Sequence, residues 1–300
     1  MSTSVVVVES GLDPQRLVDL ARGASHSVEV VVIGEGALEC GVSDAQTIGL
    51  AADPLNVEGT SRAIGEYARE VGADLVVMAA SAHLREVMPL LAHDLDAACV
   101  ADATALRRSG ELIEAERLLY GGTAIATVLL QRSVAVVSAP ALRASERVAV
   151  ESRTVEAAAS RRELVARRPI KRESALPGAA RVVSFGRGVR SADDVTLIQG
   201  LAARLGAELG CSRPIVEDMR WLGVEHQVGL TGTTVTPQLY VAIGISGQIQ
   251  HLVGMRDSKV IVAINANPAA PIFAVADVGI VGDLYEVVPR LTEALARRGA

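Results

Sequence analysis

Short β-branched runs alternating with helically spaced apolar positions set the rhythm of the first half of the chain. Residues 4–8 and 28–33 have strand length and are apolar almost throughout, the pattern of strands covered on both faces in a parallel sheet. Between them, residues 14–23 carry Leu17, Leu20 and Ala21 at helical spacing, which makes a βαβ unit. A second unit follows. The spacing predicts a helix over residues 60–71 with Ala63, Ile64, Tyr67 and Ala68 on one face, then a buried strand over 74–78, then a helix over 84–93. Strand-like segments at 98–103, 126–130 and 134–137 are expected to complete a mostly parallel sheet flanked by helices.

From about residue 146 to 177 the rhythm stops, and Arg161, Arg162, Arg167, Arg168, Lys171 and Arg172 crowd together. Glu151, Glu156, Glu163 and Glu173 are interleaved with them, which favours a solvated edge strand or linker over a patch for an anionic partner. Leu176-Pro177-Gly178-Ala179 reads as a boundary, giving domains at 1–176 and 177–300. The second domain begins with a strand over 180–185, the loop Gly186-Arg187-Gly188 and a helix over about 192–205. Strands are expected at 239–243, 259–263 and 279–281. A closing helix over 283–297 turns Leu284, Val287, Val288, Leu291 and Leu295 inward. The fold class is therefore α/β with two domains, a Rossmann-like N-terminal one and a doubly wound parallel sheet at the C-terminus. Dinucleotides bind at the strand exits of such sheets.

Composition narrows the function classes. Of 300 residues half are hydrophobic and 21% are charged, enough for a substantial core. No apolar run approaches the roughly 20 residues that span a bilayer, so a membrane-embedded chain is not expected. Four valines follow Met1-Ser2-Thr3-Ser4 without a basic flank or a long apolar stretch, so the start reads as a strand and the cytoplasm is the expected compartment. Cys40, Cys99 and Cys211 form neither a CxxC nor a disulfide framework, which fits a reducing compartment and implies no metal site. A net charge of −6 and only 2% aromatic residues argue against a nucleic-acid partner.

Chemistry concentrates where polar residues sit among glycines: Cys211-Ser212-Arg213-Pro214, Gln227-Val228-Gly229-Leu230-Thr231-Gly232, and Gly244-Ile245-Ser246-Gly247-Gln248-Ile249-Gln250-His251. In the third, a strand meets a Gly-x-Ser-Gly turn and then a helix, an arrangement that either cradles an anion such as a pyrophosphate or simply starts a helix with a Ser cap. A hydrolase nucleophile elbow is excluded, because Gln248 stands where that motif needs glycine. Arg213 precedes a proline, so its backbone is expected to be extended and its side chain rigidly held. Taken singly, such an arginine is more often a surface ion pair and His251 more often a structural histidine. Gly186-Arg187-Gly188 is more often plain backbone punctuation than a site.

The joint pattern decides more. From Cys211 to Asp283 the chain closely resembles the C-terminal domain of electron transfer flavoprotein alpha subunits. The resemblance rests on Cys-Ser-Arg-Pro at 211–214, Gln-Val-Gly-x-Thr-Gly at 227–232, Pro-x-Leu-Tyr-x-Ala-x-Gly-Ile-Ser-Gly-x-Ile-Gln-His at 237–251, Asp-Ser-Lys at 257–259, Ala-Ile-Asn at 263–265, Ala-Pro-Ile-Phe at 270–273, and Ala276-Asp277 through Asp283-Leu284. Upstream, Val182-Val183-Ser184 with Gly186-Arg187-Gly188, and more loosely Tyr120-Gly121-Gly122, also fit.

The resemblance implies an electron carrier rather than an enzyme, with FAD as cofactor. Arg213 would lie over the isoalloxazine, Thr231 near N5 and His251 near the C2 carbonyl, together favouring an anionic semiquinone. Ser246 and Gly247 would bind the pyrophosphate, Gln250 and Ser212 would line the flavin pocket, and Asn265 and Asp283 would address the ribose and adenosine. Gln227, Val228, Gly229, Gly232, Gly244, Gln248 and Leu284 complete the implied cofactor-binding set. It also implies a separate beta subunit in a heterodimer, acyl-CoA dehydrogenase-type donors as in fatty acid β-oxidation, and a quinone oxidoreductase-type acceptor. Leu230 and Ala266-Asn267 depart from the usual pattern, and Trp221 is similar to the bacterial branch of carnitine- and nitrogen-fixation-type systems. The rival reading is a nucleotide-dependent (NAD or FAD) enzyme on the same fold.

Overall fold

The computed structural model describes residues 2–297 except 54, 145, 155–159, 161, 164 and 167–174. The chain forms two compact units, Met1–Arg168 and Pro169–Ala300.

In the first unit the four consecutive valines Val5–Val8 lie in the strand Thr3–Glu9 with no exposed surface, so the apolar run is the centre of a sheet covered on both faces. Seven strands pair in parallel. Their order across the sheet is Ser152–Thr154, Gln46–Ala51, Ser27–Gly34, Thr3–Glu9, Leu75–Ala79, Ala135–Ala139, Ala98–Val100. Helices Gln15–Arg22, Val57–Glu70 and Ala82–Asp94 flank it. The Asn56 side chain accepts from the Gly59 N–H at 2.8 Å and the Ser81 hydroxyl from the Leu84 N–H at 3.1 Å, which starts the second and third of these helices. Ala63, Ile64, Tyr67 and Ala68 are all buried, as their helical spacing predicts.

One expectation fails. Residues 126–130 belong not to the parallel sheet but to an antiparallel meander of Ala103–Ser109, Leu112–Leu119 and Ala124–Leu130. In its last strand Ile125, Thr127 and Leu129 face solvent while Ala124, Ala126 and Val128 turn inward, the alternation of a one-sided sheet. The segment 98–103 breaks at Asp102, whose φ of 57° ends one strand before the next begins. Ser152–Thr154 forms the sheet edge, as the edge-strand reading of the charged stretch expects. Arg162 pairs with Glu86 at 2.6 Å on the surface. Arg161, Arg167, Arg168, Lys171 and Arg172, with Glu156 and Glu173, lie outside the described residues.

The second unit holds a five-stranded sheet, all parallel, ordered Glu208–Cys211, Arg181–Phe185, Leu239–Ile243, Ile261–Asn265, Val278–Val281. Numbered along the chain this is 2-1-3-4-5, a doubly wound order whose switch point lies between Arg181–Phe185 and Leu239–Ile243. Alternation assigns the faces. Val183, Phe185, Val241 and Ile243 pack under helices Val195–Leu205 and Leu284–Arg297, where Leu284 and Val288 are buried and Val287, Leu291 and Leu295 partly so. Val182, Tyr240 and Ala242 point the other way, beneath Leu176, Val228, Val235, Met255 and Ile272, so this second face is covered by loops and short helical turns. Among the described residues no helix is long and apolar enough to cross a membrane.

Candidate functional site

All five strands of the second unit end at one cleft of about 740 Å³. It is lined by Gly186, Arg187, Gly188 and Arg190 after the first strand, by Ser212 to Pro214 and Asp218 after the edge strand, and by Gly244 to Ser246 after Leu239–Ile243. Asn265 and Ala266, and then Asp283 and Leu284, follow the last two strands. The loop 227–231 and the turn carrying Gln248, Gln250 and His251 close it. This is where an open parallel sheet gathers a ligand, outside the carboxyl ends of its strands at the switch point.

Glycine makes the switch point. The Gly186 N–H donates to the Ile243 carbonyl and the Gly188 N–H to the Gly244 carbonyl, each at 3.0 Å, so the two loops meet backbone to backbone. A Cβ on Gly188 would stand 2.6 Å from the Gly244 Cα, and Gly244 itself has φ +59°. The Gly186-Arg187-Gly188 turn is thus more than punctuation, since its two glycines permit the loop contact and all three residues line the cleft.

The loop 227–233 is pinned in a similar manner. Gln227 is buried and donates through Nε2 to the Thr231 hydroxyl at 2.8 Å, which leaves the Thr231 proton for an acceptor in the cleft. The Leu230 N–H donates to the Gln250 carbonyl at 2.7 Å, and a Cβ on Gly229 would meet that same carbonyl at 2.7 Å. His251 is 7% exposed, and its Nε2 lies 3.0 Å from the Tyr240 hydroxyl. Burial depresses the His251 pKa to about 4, opposed by the nearby Val228 backbone, and burial also pushes the Tyr240 phenol well above its usual value. The imidazole is therefore neutral and the phenol protonated near pH 7. Nδ1 of His251 is buried without a hydrogen-bond partner. Burial raises the Cys211 thiol to about 12, which makes it part of the core and not a nucleophile.

Charge lies at the rim. Arg187, Arg190 and Arg213 are exposed around the cleft, facing Asp218 and Asp283. Arg190 Nη2 pairs with Asp283 Oδ2 at 3.1 Å and its guanidinium stacks 4.5 Å above the Tyr285 ring. The Tyr285 hydroxyl in turn donates to Asp194 at 2.7 Å and accepts from the Arg190 N–H at 2.7 Å. The other Asp283 oxygen accepts the Tyr285 N–H at the start of the closing helix. Asn265 ties loops together, donating to the Ile245 carbonyl and accepting from the Asn267 N–H.

Of the residues singled out in the sequence, Arg213, Gln227, Val228, Gly229, Thr231, Gly244, Ser246, Gln248, Gln250, His251, Asn265, Asp283, Leu284 and Ser212 line this single cleft. Gly232 and Gly247 do not. A Cβ on Gly232 would be 2.4 Å from the Gln227 carbonyl and one on Gly247 would be 2.2 Å from the Ile272 nitrogen, so both glycines let loops pack behind the wall. The backbone expectation for Arg213 is corrected as well. It opens the short helix Arg213–Glu217, and it is Ser212, at φ −82° and ψ 155°, that is extended. Pro214 fits the first turn because the N–H it lacks would have no helical partner there. The Arg213 side chain is mostly exposed and pairs with Glu217 at 3.4 Å. Arg190 and Asp218 were not legible as site residues; for Arg190 the signal was a second arginine shortly after Gly186-Arg187-Gly188.

Comparison with known proteins agrees with this geometry. Residues 175–256 match the electron transfer flavoprotein FAD-binding domain, and residues 16–176 match the electron transfer flavoprotein domain. Among similar curated proteins, one from Escherichia coli K12 described as an electron transfer flavoprotein subunit, YdiR, is 39% identical over 250 residues, 80% of each chain. Protein FixB from Escherichia coli O81 is 34% identical over 302 residues, covering 95% of this chain and 96% of its own. FixB from Escherichia coli O6:K15:H31 is 35% identical over 308 residues with the same coverage.

Proposed function

The chain belongs to the electron transfer flavoprotein family, in its alpha-type FixB branch with FAD as cofactor, and from that premise we propose that it is a one-electron carrier that works without transforming a small substrate. The observation that supports this most is the meeting of five strand exits at one cleft that holds a buried, unpartnered imidazole nitrogen and a ring of arginines.

The residues present fit FAD. Glycines at 186, 188 and 244 let two loops cross at the strand ends and line the cleft with backbone, and the rim arginines suit a pyrophosphate. The orphaned His251 Nδ1 suits a carbonyl acceptor, and the Thr231 hydroxyl, already accepting from Gln227, suits a ring nitrogen. When bound, FAD supplies the ability to take up and release electrons one at a time. Arg213, on the short helix at the cleft mouth, is proposed to hold positive charge over the ring plane, where added electrons make it negative. His251 is proposed to donate a hydrogen bond at the carbonyl end, and Ser246 to donate to the pyrophosphate. Gln248, Gln250 and Ser212 frame the ring, while Asn265, Asp283 and Leu284 hold the adenosine end. Gly229 and Val228 keep the 227–233 loop against His251, Gly232 lets that loop fold onto the Gln227 carbonyl, and Gly247 lets the following turn pack on Ile272.

For the division of labour we propose that residues 1–176 hold a beta-type partner subunit in a heterodimer and that 177–300 bind the cofactor. Acyl-CoA dehydrogenase-type flavoproteins, as in fatty acid β-oxidation, are the proposed donors, and a quinone oxidoreductase-type protein is the proposed acceptor, in the cytoplasm. Co-expression with a beta-type subunit tests the reading. A yellow preparation holding one FAD per chain and titrating in two one-electron steps is expected; a colourless protein, or one titrating in a single two-electron step, would refute it.

A further inference from the structure

The hydrogen bond beneath His251 carries an inference that rests on the flavin reading above. Tyr240 has no exposed surface and sits on the strand Leu239–Ile243, whose alternation turns it toward the loop face of the sheet and under the cleft. Its hydroxyl oxygen is 3.0 Å from His251 Nε2, with the two rings tilted by 59°. A neutral imidazole has one donor and one acceptor nitrogen, so whichever role Nε2 takes against Tyr240, Nδ1 takes the opposite one.

We propose that Tyr240 is a positioning residue that holds His251, a residue of the cleft wall, in the Nδ1–H tautomer, so that Nδ1 serves as a donor to the cofactor and not as an acceptor. The direction follows from the two groups. A phenol is a stronger donor than a neutral imidazole N–H, and an imidazole nitrogen is a stronger acceptor than a phenol oxygen. The Ser184 hydroxyl beside the phenol can donate to its oxygen, which leaves the Tyr240 O–H to donate to Nε2 and the ring's own hydrogen on Nδ1. Burial supports the arrangement by keeping the phenol protonated and the imidazole uncharged. Packing fixes the main chain that carries the ring: the His251 backbone N–H donates to the Gln248 carbonyl at 2.9 Å, and the Gly229 backbone is pressed against Gln250 and His251. The Val228 backbone beside the ring also favours a proton on the imidazole, and Nδ1 itself makes no bond of hydrogen-bond geometry, so an Nδ1–H can donate to a carbonyl oxygen that a bare lone pair would repel.

The tautomer is read directly from ring-nitrogen chemical shifts of histidine-labelled, FAD-loaded protein co-expressed with its partner subunit, with His251→Gln assigning the signals. A neutral, Nδ1-protonated His251 is expected in the unchanged protein. In Tyr240→Phe, which keeps the ring volume, the Nδ1–H to Nε2–H ratio is expected to fall about tenfold and the first reduction potential to move negative. An Nε2-protonated His251 in the unchanged protein overturns the proposal, and so does a Tyr240→Phe protein with the same tautomer and potential. Should Tyr240→Phe fail to fold, the spectrum of the unchanged protein decides alone. A colourless protein overturns the flavin reading separately, since the ring-nitrogen shifts still report the tautomer.

Discussion

Replacing Gly188 by alanine tests the proposition that the cleft exists because two loops can touch backbone to backbone. The added Cβ would stand 2.6 Å from the Gly244 Cα and 3.2 Å from its carbonyl oxygen, and neither is a flexible side-chain end that can swing away. Relief requires the 186–188 and 244–246 loops to part, which also stretches the Gly188 N–H to Gly244 carbonyl bond, now 3.0 Å. Overpacking of this kind costs about 1–3 kcal/mol and a weakened hydrogen bond about 1 more, so a loss of about 2–4 kcal/mol is expected. In a unit of this size that corresponds to a fall in Tm of roughly 10 °C, accompanied by loss of cofactor from the strand ends. Gly200 provides the contrast. It lies in the helix Val195–Leu205 with nothing within 4 Å of where its Cβ would be, so Gly200→Ala should stabilise by about 0.5–1 kcal/mol through helix propensity alone. Calorimetry and FAD content of the two variants check the argument. A Gly188→Ala protein that melts with the parent and keeps its full FAD would refute the claim that this crossing shapes the site.

Two other outcomes follow from the site. Arg213→Ala should leave unfolding within about 0.5 kcal/mol of the parent, because its pair with Glu217 is exposed, while moving the first reduction potential negative by about 60 mV, a tenfold one-electron change; spectroelectrochemistry at constant pH reads both potentials, and an unshifted value would remove Arg213 from the flavin. The buried His251, with a pKa of about 4 against an ordinary 6.5, resists a proton that the unfolded chain accepts, so stability is complete above pH 6.5 and should fall by roughly 3 kcal/mol as the pH drops toward 4. Urea unfolding across that window should show the loss in the unchanged chain and a shallower slope in His251→Gln; parallel slopes would contradict the burial argument.

How far the sequence reveals these features depends on whether a local pattern encodes them. The parallel strands were legible because burial on both faces makes them runs of valine, isoleucine and leucine, as in Val5–Val8. The antiparallel meander was not, since its strands carry charge on both faces: Arg107, Glu114 and Glu116 on the open one, where Arg107 pairs with Glu116 across strands, and Arg108, bonded to Asp74, on the other, which blurs the apolar alternation. Glu208–Cys211 escaped notice as a strand because it carries no β-branched residue and includes Gly210. In the site, residues within glycine-rich strand exits were legible because both motif and position announce them. The Arg190 role was not, because Tyr285, about 95 residues away, creates it. For Arg213 the preference for an extended residue before proline yields to a helix start that Ser212 enters in extended form, and the side chain expected to be rigidly held is mostly exposed.

The placement of charge in the cleft follows one physical logic. A cation buried beside the ring would need desolvation that its own attraction to a neutral, oxidised cofactor does not return, so Arg187, Arg190 and Arg213 stay at the solvated rim. Only a neutral donor can sit in the dry floor at low cost, and His251, kept uncharged by burial and hydrogen-bonded to Tyr240, is the donor we propose. Its interaction strengthens as electrons arrive on the ring, because a hydrogen bond to a charged acceptor is roughly twice as strong as one to a neutral acceptor, and stronger still away from water. On the proposed reading, preference for the reduced form is built from a neutral dipole inside and solvated cations outside. Moving the charge inward, for instance with a lysine at position 251, should for the same reason cost stability before it gains potential.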